Sequence, residues 1–138
     1  MQVTSLPRSP VEGWEARRDE WVAAVDRLVT EAEGWVREQN WLVHRGTKTI
    51  TEDQFGTYDV PMLMMHCPQG GLILDPDGCD TVRALGRIDF RVFPSYDSVL
   101  IIRDEAGWRF VTNPPGGLSP AWSKEAFLEI ANALALRR

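Results

Sequence analysis

The chain contains few residues of the kinds that mark disulfide-rich, metal-binding or membrane proteins. Its only cysteines are Cys67 and Cys79, and its only histidines are His44 and His66. Two cysteines form at most one disulfide, and a structural zinc usually takes four ligands from tight pairs such as C-x-x-C, which are missing here. No apolar run reaches the roughly 18 residues of a membrane span. The sequence therefore predicts free thiols, no metal, no cofactor and no membrane partner.

A targeting signal is also missing from the first residues. The stretch MQVTSLPRSP contains no apolar segment of the kind that a secretory signal peptide carries. We therefore expect a cytoplasmic location, in which both cysteines stay reduced. We predict one domain over residues 1–138, with a flexible tail over residues 1–8.

Lysine is scarce, and arginine carries most of the positive charge. Lys48 and Lys124 are the only lysines, the formal net charge is -5 and the isoelectric point is near 5.0. An acidic chain repels phosphate backbones unless basic residues cluster, and here the arginines are scattered singly or in pairs. The composition therefore argues against a nucleic-acid partner.

What the chain does contain begins with an amphipathic helix. Hydrophobic residues make up 43% of the 138 residues and charged residues 25%, which is ordinary for a folded domain with a core. One apolar stripe repeats every seven residues, at Trp14, Trp21, Leu28 and Trp35. Charged residues fill the opposite side. The pattern predicts a helix from Trp14 to about Gln39, and Asn40 is a suitable left-handed terminator.

The middle of the chain predicts strands and no further helix. Short apolar runs are separated by turn signals such as Pro68-Gln69-Gly70-Gly71. Pro61 lacks an amide hydrogen, so it predicts a strand edge or a bulge. The stretch Asp75-Pro76-Asp77-Gly78 predicts a turn that interrupts the next strand. Five or six strands are expected.

The last predicted element is a helix that begins after Ser123. Serine is a favoured N-cap, and Trp122 and Phe127 have the spacing of a hydrophobic staple. Because no helix separates the strands, no parallel crossover unit is expected. The predicted fold class is α+β: a two-layer arrangement in which an antiparallel meander of five to six strands is flanked by an N-terminal and a C-terminal helix.

Tryptophan is the unusual residue type, with six copies. It is enriched among interface hot spots, although a helix that lies on a sheet also uses indoles as core. We hypothesise a non-enzymatic binding or adaptor domain whose partner is another protein, acting through the open sheet face or the loop 113–118. The candidate partner-binding residues are Trp14, Trp108, Pro114, Pro115 and Trp122. Edge strands and an uncovered sheet face also leave a homodimer open.

Two other functions stay open as alternatives. One is a small-molecule pocket in the mouth between sheet and helices, lined by Met62, Met64, Met65 and His66. The other is a metal-free hydrolase that uses His44 or His66 with Asp59 and Cys67, because a nucleophile needs a neighbouring base and an orienting group. No nucleophile motif such as G-x-S-x-G is present, so no catalytic residue is assigned.

Overall fold

A computed structural model describes residues 13–79, 85–95, 97–111 and 120–137 of the chain. Every strand pairs antiparallel with its neighbours in sequence, so the sheet order is that of a six-stranded meander. The predicted α+β class is confirmed, whereas the predicted tail, Pro114 and Pro115 lie outside the described residues. The elements are α1 (Trp14–Glu38), β1 (Leu42–Glu52), β2 (Gly56–Cys67), β3 (Gly70–Gly78), β4 (Gly86–Phe93), β5 (Ser98–Asp104), β6 (Gly107–Val111) and α2 (Lys124–Ala135).

Helix α1 follows the predicted apolar stripe. It begins after Gly13 and ends before Asn40, which has the predicted left-handed conformation with a φ of 62°. Trp21 is fully buried, and Trp14 and Trp35 are partly buried against the core. The other buried residues of the helix are Ala24, Val25, Leu28, Val29, Ala32 and Val36. The stripe is therefore used mainly as core.

The β1–β2 hairpin leaves the sheet near Pro61. Strand β2 pairs with β3 only from Leu63 to Cys67, so Pro61, which has no amide hydrogen, lies where β2 has no β3 partner. The predicted edge is confirmed. The buried residues of β2 also change parity there. They are odd-numbered in the part that pairs with β3 (Leu63, Met65 and Cys67) and even-numbered in the part that pairs with β1 alone (Tyr58 and Val60).

Strand β3 continues through Asp75–Gly78, so the predicted turn is wrong. Strand β4 pairs with this stretch, and the register shifts between Pro76 and Gly78. A bulge tolerates a proline, which cannot donate to the ladder. The Asp75 carboxylate accepts hydrogen bonds from Lys48 Nζ at 2.6 Å and from Arg91 Nε at 3.2 Å. These turn-forming residues lie in a strand because side chains from β1 and β4 donate hydrogen bonds to the Asp75 carboxylate.

Both helices lie on one face of the sheet, which we call the inner face. Phe90 of β4 stacks on Phe127 of α2, with ring centroids 5.3 Å apart and an interplanar angle of 8°. Trp21 of α1 lies over Gly86, where an added Cβ would be 2.1 Å from the indole Cζ3. Residues 86 and 90 have the same parity on β4, so the two helices contact the same face.

Helix α2 has the predicted start. It begins at Lys124, and the side chain of Ser123 accepts a hydrogen bond from the Ala126 amide at 3.1 Å. This bond satisfies one of the amides that a helix N-terminus leaves without a partner.

The segment just before α2 covers the edge of β6 that has no neighbouring strand. The Phe110 amide donates to the Pro120 carbonyl at 2.9 Å, and the Trp122 amide donates to the Trp108 carbonyl at 3.0 Å. An exposed strand edge is a template for pairing with another chain. These two bonds close that edge.

Candidate functional site

The sheet has a second face, the outer face, that no described helix or strand covers. Side chains alternate along a strand, so residues next to core positions such as Ile101 and Phe110 point to this face. Ile73 is 8% exposed, and its cross-strand neighbours on this face are Met64 and Arg91. None of the apolar side chains on the outer face belongs to or packs against the core cluster. They include Met62, Met64, Ile73, Leu100, Ile102 and Val111.

Charged side chains cross the middle of the outer face in one connected network. Lys48 Nζ lies 2.6 Å from Asp75, which Arg91 joins at 3.2 Å. Arg91 reaches on to Asp89 at 2.7 Å, and Arg87 joins Asp89 at 3.0 Å. Cations and carboxylates therefore alternate along the network.

Asp89 is the centre of this network and is only 3% exposed. A buried carboxylate is tolerated when it is paired and hydrogen-bonded, and here Arg87 and Arg91 cover it on two sides. The hydrogen bond that Arg87 donates to Asp89 raises the pKa of the Arg87 guanidinium. The charges in the middle of the face are already compensated within the chain.

Two of the predicted partner-binding residues, Trp108 and Trp122, lie together beside α1. The Trp108 ring is 5.9 Å from the Trp21 ring, and the Trp122 ring is 5.3 Å from the Trp35 ring. Both indoles are partly buried in the layer between helix and sheet. An open groove of about 530 Å³ borders Trp108, and its other lining residues are Ala24, Asp26, Arg27, Leu28, Thr30, Glu31, Arg103 and Gly107.

Trp14 lies apart from these two indoles, at the first residue of α1. The Arg18 guanidinium is 5.0 Å from its ring centroid, which is within the range of a cation–π contact. The structure thus places the described tryptophans of the predicted set in two separate locations, and neither location is on the outer face.

The residues of the predicted small-molecule pocket divide between the two faces. Met65 is buried on the inner face, whereas Met62 and Met64 lie on the outer face. An open cavity of about 440 Å³ is bordered by Met64, Met65 and His66 but not by Met62. Its other lining residues are Gly70, Gly71, Leu72, Phe93 and Pro94.

The residues of the predicted hydrolase do not come together. The Cys67 thiol is buried and donates to a backbone carbonyl at 3.3 Å, while its neighbour His66 points to the opposite face. On the β1–β2 ladder, about 16 Å of strand separates His44 from Asp59. Within the described residues, no group of three or more His, Cys, Asp or Glu side chains could hold a metal ion.

A buried polar cluster near Trp21 was not foreseen from the sequence. The Tyr58 hydroxyl accepts a hydrogen bond from the Trp21 indole at 2.9 Å and donates to the Glu52 carboxylate. The same carboxylate accepts the Cys79 amide at 3.2 Å. Burial raises the pKa of the Cys79 thiol to about 11, and burial and the Glu52 hydrogen bond raise the pKa of Tyr58. These residues are distant in sequence and meet only because the β1–β2 hairpin bends, so no local sequence motif predicts the cluster.

Comparisons with known proteins give no relative. No protein-family model matches the chain, and neither a curated protein nor a solved structure matches it. Over the described part of the chain, neither helix has the length and apolar character needed to span a membrane.

Proposed function

We propose that this protein is a non-enzymatic binding domain that takes another protein on the outer face of its sheet. The observation that supports the proposal is the set of outer-face apolar side chains that pack against neither the core nor a helix. They form two strips, one on β2–β3 and one on β5–β6, on either side of the charged network. Contiguous apolar surface with polar neighbours is typical of interaction sites.

The charged network indicates the chemistry of the partner. Because Asp75 and Asp89 are each already paired with two cations, a partner that covers them does not have to supply counter-charges. A highly charged partner would instead have to compete with these pairs. The partner surface that fits is apolar and poor in charge, with neutral hydrogen-bonding groups over the network.

The test places one charge on the outer face without destabilising it. Ile102 is paired across the ladder with Arg87 on one side and Arg109 on the other. Ile102→Glu therefore places its carboxylate between two cations, which already pair with Asp89 and Asp104, at a partly exposed position. The melting temperature should stay close to that of the wild type. A glutamate in the β5–β6 strip should nevertheless abolish binding, because the partner would bury it.

The readout is co-purification from a host lysate, followed by native mass spectrometry of the complex. The matched control is Ala133→Glu, which adds the same charge at an exposed position of α2. A protein retained by the wild type and by Ala133→Glu, but lost with Ile102→Glu, supports the proposal. Equal retention by all three proteins contradicts it, as does the absence of any partner or second copy.

The cavity beside His66 supports a second candidate, a small-molecule-binding domain. Its volume of about 440 Å³ is in the range of ligand pockets, and Met64 and His66 offer one apolar and one polar contact. In a thermal-shift screen of metabolites, a ligand at 100 times its dissociation constant should add about 2.7 kcal/mol of stability. A hit that His66→Ala removes would favour this candidate, and silence across the screen would exclude it.

A further inference from the structure

Two thioether side chains meet over a glycine on the outer face. The β1–β2 ladder pairs Gly46 with Met62 and His44 with Met64. A Cβ placed on Gly46 would lie 3.5 Å from Met62 Cγ, 3.6 Å from Met64 Cε and 3.9 Å from Met62 Sδ. Both methionines therefore border the space beside Gly46 and come together there.

An unused imidazole stands at the next position of the same face. His44 precedes Gly46 by two residues on β1, so the two share a face, and His44 lies directly opposite Met64. The Cβ atoms of such cross-strand neighbours are about 4.5–5.5 Å apart, which is within side-chain reach. His44 is exposed and forms no hydrogen bond or ion pair with any described residue.

We propose that His44, Met62 and Met64 form a binding site for Cu(I). Thioethers are soft ligands that select Cu(I), and imidazole also suits copper. The same-face positions around the site, at 44–48 on β1 and 60–66 on β2, include no carboxylate, so the hard oxygen ligands that magnesium and calcium prefer are missing. The site does not depend on the proposed function and involves binding only, without a redox step.

This site differs from the kind of metal site that the sequence argues against. The sequence predicted no metal because cysteine and histidine pairs are missing, and the described residues hold no group of three His, Cys, Asp or Glu ligands. Two of the three proposed ligands are methionines, which such patterns leave out. The strand register and the glycine, rather than a sequence spacing, bring them together.

The test is a competition for Cu(I) between the full chain and a colorimetric Cu(I) chelator under anaerobic, reducing conditions. The wild type should take up one equivalent of Cu(I). Each of His44→Ala, Met62→Leu and Met64→Leu should weaken Cu(I) binding by at least about tenfold, since losing even a supporting group of a metal site costs that much. Gly46→Val should also weaken binding, because it fills the space between the ligands while valine suits a strand.

Two control variants test whether Cu(I) binding depends on this site and not on any methionine or histidine of the chain. Met65→Leu changes a methionine next to Met64 that is buried on the inner face. His66→Ala removes an imidazole whose Cε1 lies over Gly71, 3.3 Å from the Cβ position of that glycine. Both variants should bind Cu(I) as the wild type does.

A spectroscopic readout identifies the ligands directly. On addition of Ag(I), which replaces Cu(I) without paramagnetism or oxidation, the methyl carbon resonances of Met62 and Met64 should shift and that of Met65 should not. Failure of the wild type to compete for Cu(I), or an equal loss with Met65→Leu or His66→Ala, would overturn the proposal. No partner protein enters these measurements, so their outcome is separate from the protein-binding test.

Discussion

The two faces of the sheet bury side chains in different ways. On the inner face, aromatic rings fill the space under the helices. Phe127, for example, contacts three rings, those of Phe90, Trp35 and Trp122. On the outer face, Asp89 is buried by its own ion pairs, and apolar side chains stay partly exposed beside it. The two faces therefore contribute to stability by different means, ring packing on the inner face and ion pairing on the outer face.

Truncation of an inner-face ring should have the largest effect on stability. Phe127→Ala removes a fully buried ring from the centre of the aromatic layer and should cost about 3–5 kcal/mol of unfolding free energy. Ile102→Ala on the outer face should cost less than about 1 kcal/mol, because Ile102 is partly exposed and does not belong to the core cluster. Denaturant unfolding of both variants measures the difference, and equal costs would remove the contrast between the faces.

The contact between Gly86 and Trp21 should give the next largest effect. Gly86→Ala puts a Cβ 2.1 Å from the indole, at a backbone φ of 156° that residues with side chains rarely adopt, and should cost at least about 1–3 kcal/mol. Trp21→Phe removes the ring atoms that clash, so the double variant should lose less stability than the sum of the two single variants. Gly34 has open space around it, and Gly34→Ala should instead stabilise α1 by up to about 1 kcal/mol. Additive effects at 21 and 86 would contradict the packing.

Breaking the outer-face network should have a moderate effect. Asp89→Asn removes the charge that Arg87 and Arg91 share and leaves a buried side chain with a weaker acceptor, so it should cost about 1–3 kcal/mol. Asp77→Asn, at the exposed end of the network, should cost less than about 0.5 kcal/mol. Chemical denaturation of the two variants checks the ranking, and the reverse order would show that the network does not centre on Asp89.

The smallest effect should appear at alkaline pH, through the cluster near Trp21. The pKa of Cys79 is raised to about 11 from an ordinary 9.0, so the folded chain keeps a proton that the unfolded chain loses. The free energy of unfolding should therefore be independent of this thiol below pH 9.0 and fall as the pH rises toward about 11. Unfolding measured across this range should show a shallower fall for Cys79→Ala, with Tyr58 supplying the rest. An identical fall in both proteins would remove Cys79 from the cluster.

The elements that the sequence predicts correctly are those whose determinants lie close together along the chain. The stripe of α1, its end at Asn40 and the cap at Ser123 each depend on a few neighbouring residues. The stretch Asp75–Gly78 fails this condition. Its turn chemistry is overridden by Lys48 and Arg91, which are distant in sequence and whose approach only the folded sheet provides.

The candidate site is predictable only in outline. Alternation separates Met62 and Met64 from Met65, and a two-layer plan implies that one sheet face is open. Which methionines face outward depends on the bend at Pro61, where the buried positions of β2 change parity. The indoles of Trp108 and Trp122 could not be assigned to the interior from sequence, because their neighbours are Trp21 and Trp35 of α1.

The meander also implies an order of assembly. Each strand finds its partner a short loop away, so the sheet can form hairpin by hairpin at little cost in loop closure. Helix α1 has both local and distant partners: Arg45 of β1 reaches Thr30 across 15 positions, whereas Arg103 reaches Glu20 across 83 and Trp122 reaches Glu31 across 91. The helix can therefore dock on the β1–β2 hairpin early, whereas the contact of its Trp21 ring with Trp108 waits until β6 joins the sheet.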